Sequence, residues 1–164
     1  AVEWASQFDT LEEAWAACER GDWMLWLAGR CAGPAMSDSR KPLVLAACAC
    51  ARLSLKHVKK GEERPLRAIE LAERWARGED SPSSPGSPIT REELRNAASA
   101  AHVRAAAAAA AADADADAAA AAAYAAAYAD ADADAARKET LKQCADIVRT
   151  YYPTPPAQQQ EKQP

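Results

Sequence analysis

A chain of 164 residues with a net charge of −4 suits one folded unit with appendages, and its mild acidity disfavours nucleic acid or anionic lipid as a partner. Its 49% hydrophobic content is mostly alanine, because Leu, Ile, Val and Phe number only 11, 3, 5 and 1. That is below the roughly 20% under which disorder is suspected, and five tryptophans offset part of the deficit, each able to bury roughly 150–250 Å². A modest core is expected, concentrated in the first half of the chain and in its last helix.

Residues 1–9 read as a short, loosely held lead-in. Thr10-Leu-Glu-Glu13 is a capping box, which opens a short helix with Leu11, Trp15 and Cys18 on one face. Gly21 reads as its stop and Asp22 as the N-cap of the next helix, "WMLWLAGR", dense enough in large residues to be buried nearly all round. Gly29, Gly33 and Pro34 end that helix. Pro42 opens a third, "LVLAACACARLSL", whose small residues over Ala46–Ala51 let a neighbour approach closely. Lys56, His57, Lys59 and Lys60 sit at its C-terminal end, where the helix dipole favours cations. Pro65 starts a fourth, with Leu66, Ile69, Ala72, Trp75 and Ala76 inward and Gly78 as the stop, so a helical core is expected over 10–78.

Residues 79–89 are a Pro/Ser-rich linker, and Thr90-Arg-Glu-Glu93 is a second capping box. No Gly or Pro follows until Pro153, so residues 90–152 read as Ala-rich helices plus a closing amphipathic helix. One straight helix of that length would run about 90 Å, against a radius of gyration near 15 Å for a folded chain of this size. Two or three helices broken near the aspartates fit better, with one long helix as the alternative. The closing helix carries Leu141, Cys144, Ala145, Val148 and Tyr151 on one stripe, and 153–164 reads as a disordered tail. The fold class expected is all-α, a compact multi-helix bundle with long Ala-rich C-terminal helices.

The candidate binding residues lie in "ADADADAAAAAAYAAAYADADADA". Two acidic triplets, Asp113/Asp115/Asp117 and Asp130/Asp132/Asp134, flank Tyr124 and Tyr128. A calcium loop begins with Asp at positions 1, 3 and 5 but needs Gly at 6 and Glu at 12. Here those positions hold Ala118 and Tyr124 in one triplet, and Ala135 and Leu141 in the other. A strand is disfavoured because alanine and aspartate are poor strand formers, whereas alanine is the best helix former. The six carboxylates are either a solvating surface for an alanine helix or an acidic face for a basic partner. The tyrosines, four apart, either pack that helix or form a patch rimmed by the carboxylates.

The five cysteines are Cys18, Cys31, Cys48, Cys50 and Cys144. The odd count, with no signal stretch and no run of 18 or more uncharged apolar residues, leads to the expectation of a reduced cytoplasmic protein without a membrane span. Cys48-Ala-Cys50 lacks zinc-site spacing, so buried thiols are expected and no metal or cofactor. His57 and His102 are the only histidines, and no phosphate loop, nucleophile elbow or metalloprotease motif occurs. No catalytic residue is assigned.

The stretches "LEEAWAACERGDWMLWLAGR", "LVLAACACARLSL", "RAIELAERWARGE" and "LKQCADIVRTYYP" together resemble bacterial immunity-protein domains associated with polymorphic toxin systems. The resemblance spans about residues 10–80 and 137–153. It implies an all-helical fold and neutralisation of a cognate toxin by binding, and it brings no catalytic residue with it. Self-assembly through close packing of the Ala-rich helices is the alternative, which makes a homo-oligomer a second expected partner.

Overall fold

The computed structural model describes residues 2–58, 60–79 and 134–156. Among them the secondary structure is helical throughout: α1 Val2–Ala5, α2 Leu11–Ala17, α3 Gly21–Cys31, α4 Lys41–Arg52, α5 Arg64–Arg77 and α6 Asp134–Tyr151. Short 3₁₀ turns precede α4 (Asp38–Arg40) and follow it (Leu55–His57). The all-α reading holds for them; the Pro/Ser-rich linker beyond residue 79, the second capping box, the Ala-rich stretch up to residue 133 and the tail from residue 157 lie outside the described residues. None of the helices among the described residues is long and apolar enough to cross a membrane.

The centre of the fold is α4, which packs against α3, α5 and α6. Leu43, Val44, Ala46, Ala47, Cys48, Cys50 and Ala51 are all buried, so nearly its whole circumference is covered. Alanine and cysteine make this possible by keeping the helix narrow where its neighbours meet it. Cys48 and Cys50 direct their thiols at the Ile69 and Cys144 carbonyls (3.8 and 3.9 Å). Burial pushes the Cys48 thiol far above its ordinary range. Hydrogen bonding with Cys144, then burial, does the same for Cys50. Both act as small apolar packing groups, as expected from the sequence.

The helix surrounded on all sides is therefore α4, whereas α3 was expected to be. Met24, Leu25 and Ala28 of α3 are buried, but Trp26 is 46% exposed and Trp23 and Leu27 are half-buried. At the start of α3, Gly21 is the first helical residue rather than a stop, and α2 closes at Cys18. A Cβ on Gly21 would lie 2.7 Å from the Ala145 backbone nitrogen and closer still to Cys144 Cβ. The glycine lets α3 approach α6. Asp22 forms no N-cap; it is buried and accepts two hydrogen bonds from the Arg20 guanidinium, at 2.8 and 2.6 Å. Gly29 lies within α3, and the helix ends at Cys31.

Other local signals translate directly. Glu13 donates its N–H to Thr10 Oγ1 (3.1 Å), and its carboxylate accepts from the Asp9 N–H (3.2 Å), one residue earlier than a reciprocal box would have it. Gly78 caps α5 in the left-handed region at φ 71°. The α4 helix stops at Arg52, short of the Leu55 expected. In α5, Ile69, Ala72 and Ala76 are buried as expected and Leu66 and Trp75 only partly. In α6, Leu141, Cys144, Ala145 and Val148 are buried, but Tyr151 is exposed and Tyr152 packs on the core instead. Tyr152 lies four residues after Val148 and its N–H donates to the Val148 carbonyl (2.8 Å), so it continues the buried line of the helix while Tyr151 falls outside it.

Charge is handled pairwise at the α4–α5 contact. Glu73, only 7% exposed, accepts from Arg52 Nε and Nη2 (both 2.8 Å) and from Arg77 (3.1 Å). The bonds from Arg52 hold its carboxyl below the usual carboxylate range. Because the folded value is lowered, this stabilisation is complete at neutral pH and is lost as pH falls from the unfolded value, about 4.3, through the folded one.

Two measurements follow. Gly21→Ala ordinarily favours a helix by up to about 1 kcal/mol, yet here overpacking against α6 should reverse the sign and destabilise by about 1–3 kcal/mol, read as a lower urea midpoint. Glu73→Gln should destabilise by about 1–2 kcal/mol at pH 7, the half-exposed arginines reducing the effect. The deficit against wild type should shrink as pH is lowered below 4 in the same urea assay.

Candidate functional site

The segment read as a loose lead-in contributes Trp4, which packs edge-on against Trp23 (5.9 Å between centroids) and tilts over Phe8 (4.8 Å). With α2 and α3 it forms a groove of about 480 Å³ whose lining is almost wholly apolar. Four of the five tryptophans line it: Trp4, Trp15, Trp23 and Trp26. Three of the large apolar side chains most exposed among the described residues, Val2 (86%), Leu11 (51%) and Trp26 (46%), stand on the same groove. Leu11 was expected to face inward with Trp15. It rims the groove instead, while Trp15 lies on its floor.

The floor is held from the far end of the chain. Trp15 Nε1–H donates to the Tyr152 carbonyl at 2.9 Å, which satisfies the polar atom of a side chain only 4% exposed. Arg149 donates to the Cys18 carbonyl and, at 2.8 Å, to Asp146. Burial raises the Tyr152 phenol to about 12, so it stays neutral at physiological pH.

A second cavity of about 390 Å³ adjoins the groove, sharing Trp4, Cys18 and Trp23 with it. Its remaining lining is mixed: Arg20, Arg137, Lys138 and Glu19 with the apolar Ala17 and Leu141. The Arg20 guanidinium stacks 4.4 Å over Trp23 while two of its nitrogens, Nε and Nη2, hold Asp22. Glu19 faces Lys142 at 3.5 Å and Lys138 at 4.0 Å, all three at the surface. Cys18 lies at the seam between the cavities, where burial pushes its thiol up and keeps it protonated, so it is not an activated nucleophile. Among the described residues no three His, Cys, Asp or Glu side chains gather as a metal site. The chemistry on offer is apolar burial beside a charged edge.

Of the residues singled out in the sequence, Asp113, Asp115, Asp117, Tyr124, Tyr128, Asp130 and Asp132 lie outside the described residues. Asp134 is in α6, and only its backbone is described. The groove residues were missed. The signal for them was present in four tryptophans within the first 26 residues, more aromatic surface than two short helices can bury between them.

Truncations should separate floor from rim. Trp15→Ala, which removes a buried indole and orphans the Tyr152 carbonyl, should cost about 3–5 kcal/mol in chemical denaturation. Trp26→Ala should stay within about 1 kcal/mol of wild type, as expected for a surface position. The chain matches no protein-family model, no curated protein and no solved structure.

Proposed function

We propose that the protein acts without catalysis, by stoichiometric binding to another protein. On the resemblance of residues 10–80 and 137–153, we take that partner to be a toxin which it neutralises in the cytoplasm. The observation that carries the binding reading is the tryptophan groove, where Val2, Leu11 and Trp26 leave large apolar side chains in water beside an already built pocket. Contiguous exposed apolar surface of this kind marks interaction sites, and tryptophan is among the residues most enriched at binding hot spots. The toxin as partner rests on the resemblance alone. In the same reading the Asp113–Asp134 carboxylates with Tyr124 and Tyr128 supply an acidic face that speeds encounter with a basic partner surface.

Titrating the protein with the product of the adjacent gene, by calorimetry at low and at physiological salt, should give a one-to-one complex and abolish the toxin's activity. Absence of a complex even at low salt would rule the toxin reading out. Trp26→Ala should weaken that complex by about thirtyfold, the scale of a hot-spot residue, with little change in thermal stability.

A further inference from the structure

The groove is built from Val2 to Leu27 alone, whereas α6 lines only the cavity beside it. Its walls are acidic. From Val2 to Glu19 there are five carboxylates, Glu3, Asp9, Glu12, Glu13 and Glu19, and neither lysine nor arginine. All five are exposed. Next come Arg20 and buried Asp22, which hold each other, and then Arg30, one turn beyond Trp26. On the cavity side the charges of α6 nearly cancel, with Arg137, Lys138, Lys142 and Arg149 set against Asp134, Glu139 and Asp146. Both lysines there face Glu19. The open apolar groove thus lies in a wall of negative sign, with Glu3 between its lining residues Val2 and Trp4 and Glu12 directly after Leu11.

We infer that the groove takes a short basic segment of a partner protein, with two large apolar side chains on the tryptophans and lysine or arginine beside Glu3 and Glu12. The length of the groove sets the number of anchors. Only Trp23 to Leu27 of α3 line it, about 6 Å of helix. Side chains three or four positions apart on a bound helix stand about 4.5–6 Å apart along its axis, and a third anchor one turn further on would pass beyond the wall. The carboxylates then choose among occupants of similar apolar content. A second copy seated about a two-fold axis would set the same carboxylates against themselves. The chain's own segment 112–135 would bring six aspartates to the same wall. A basic partner gains from the walls as well as from the floor, and acidic competitors are turned away by them. This inference rests on the binding reading but not on the partner's being a toxin.

The test is selection of random 12-residue displayed peptides on the full chain, followed by titration of the enriched peptides as synthetic versions. Enriched sequences should carry an excess of lysine and arginine, with two large apolar residues three or four positions apart. Trp26→Ala should weaken a selected peptide about tenfold or more. Glu3→Lys together with Glu12→Lys should weaken it about tenfold at low salt and less than about twofold at 0.5 M salt. A peptide whose basic residues are changed to glutamate should bind that double variant better than the wild-type chain. Glu70→Lys, on α5 and outside the groove, should change affinity less than about twofold at low salt. All four positions are exposed, so circular dichroism melts should show the fold retained. No enrichment, enrichment of acidic or uncharged peptides, or indifference to Trp26→Ala or to the double reversal overturns the inference. So does an effect of Glu70→Lys as large as that of the double reversal, which would make the net charge of the chain the cause. Self-association that Trp26→Ala abolishes overturns it too, by making a second copy the occupant. If these tests fail while the one-to-one toxin complex forms, the binding reading stands and its interface lies elsewhere.

Discussion

The approach of small residues around α4 is the constraint on which the other contacts depend. A helix whose flanks are Ala46, Ala47, Cys48, Cys50 and Ala51 accepts three neighbours at short distance, and Gly21 gives the third side, α3 against α6, the same closeness. Large aliphatic residues are scarce in this chain, so the core cannot be filled by bulk. It is filled by proximity. Dispersion contacts are individually weak and fall away within an ångström of extra separation, which makes such a core intolerant of added volume. The price is that four of the five tryptophans gather at one corner between α1, α2 and α3 rather than in the centre.

That corner is therefore a product of the same packing that makes the middle of the fold. Trp15 is the one indole of the four brought almost fully inside, and its N–H needs the Tyr152 carbonyl to be there. Trp23 is shared between edge-on packing with Trp4 and the guanidinium of Arg20, which is in turn fixed by buried Asp22. The apolar groove and the cavity beside it are thus set by one chain of contacts, and a change to Asp22 would be felt at the groove through two intermediaries.

Much of this was legible in the sequence where a local rule decided the outcome. The Thr10 cap, the Gly78 stop, the proline-led starts of α4 and α5 and the inward face of α6 each follow from backbone chemistry within a few residues. The misreadings came where tertiary geometry overrode a local signal. Gly21 looks like a helix stop, but its missing side chain serves a contact 123 residues away, with Cys144. Leu11 shares a helical face with Trp15, yet that face continues past the floor of the groove to its open rim. The density of Trp23-Met-Leu-Trp26-Leu suggested burial on every side, because sequence shows how much apolar surface a helix carries and not how many neighbours it will have. Tyr151 and Tyr152 exchange roles because both fit the apolar stripe of α6 by spacing, and the packing against the core selects the one four residues after Val148.

The bond between Trp15 and Tyr152 joins residues 137 apart, and the one from Arg149 to Cys18 joins residues 131 apart. Contacts so distant in sequence close late in folding, because the loop entropy they cost is met before they give anything back. During synthesis, α1 to α3 leave the ribosome long before the element that holds their floor in place. Before α6 packs, the Trp15 indole N–H lacks the Tyr152 carbonyl that satisfies it in the folded chain. The floor of the groove is thus complete only once α6 has packed, so the geometry of the first 27 residues is set by a helix that begins more than a hundred residues later.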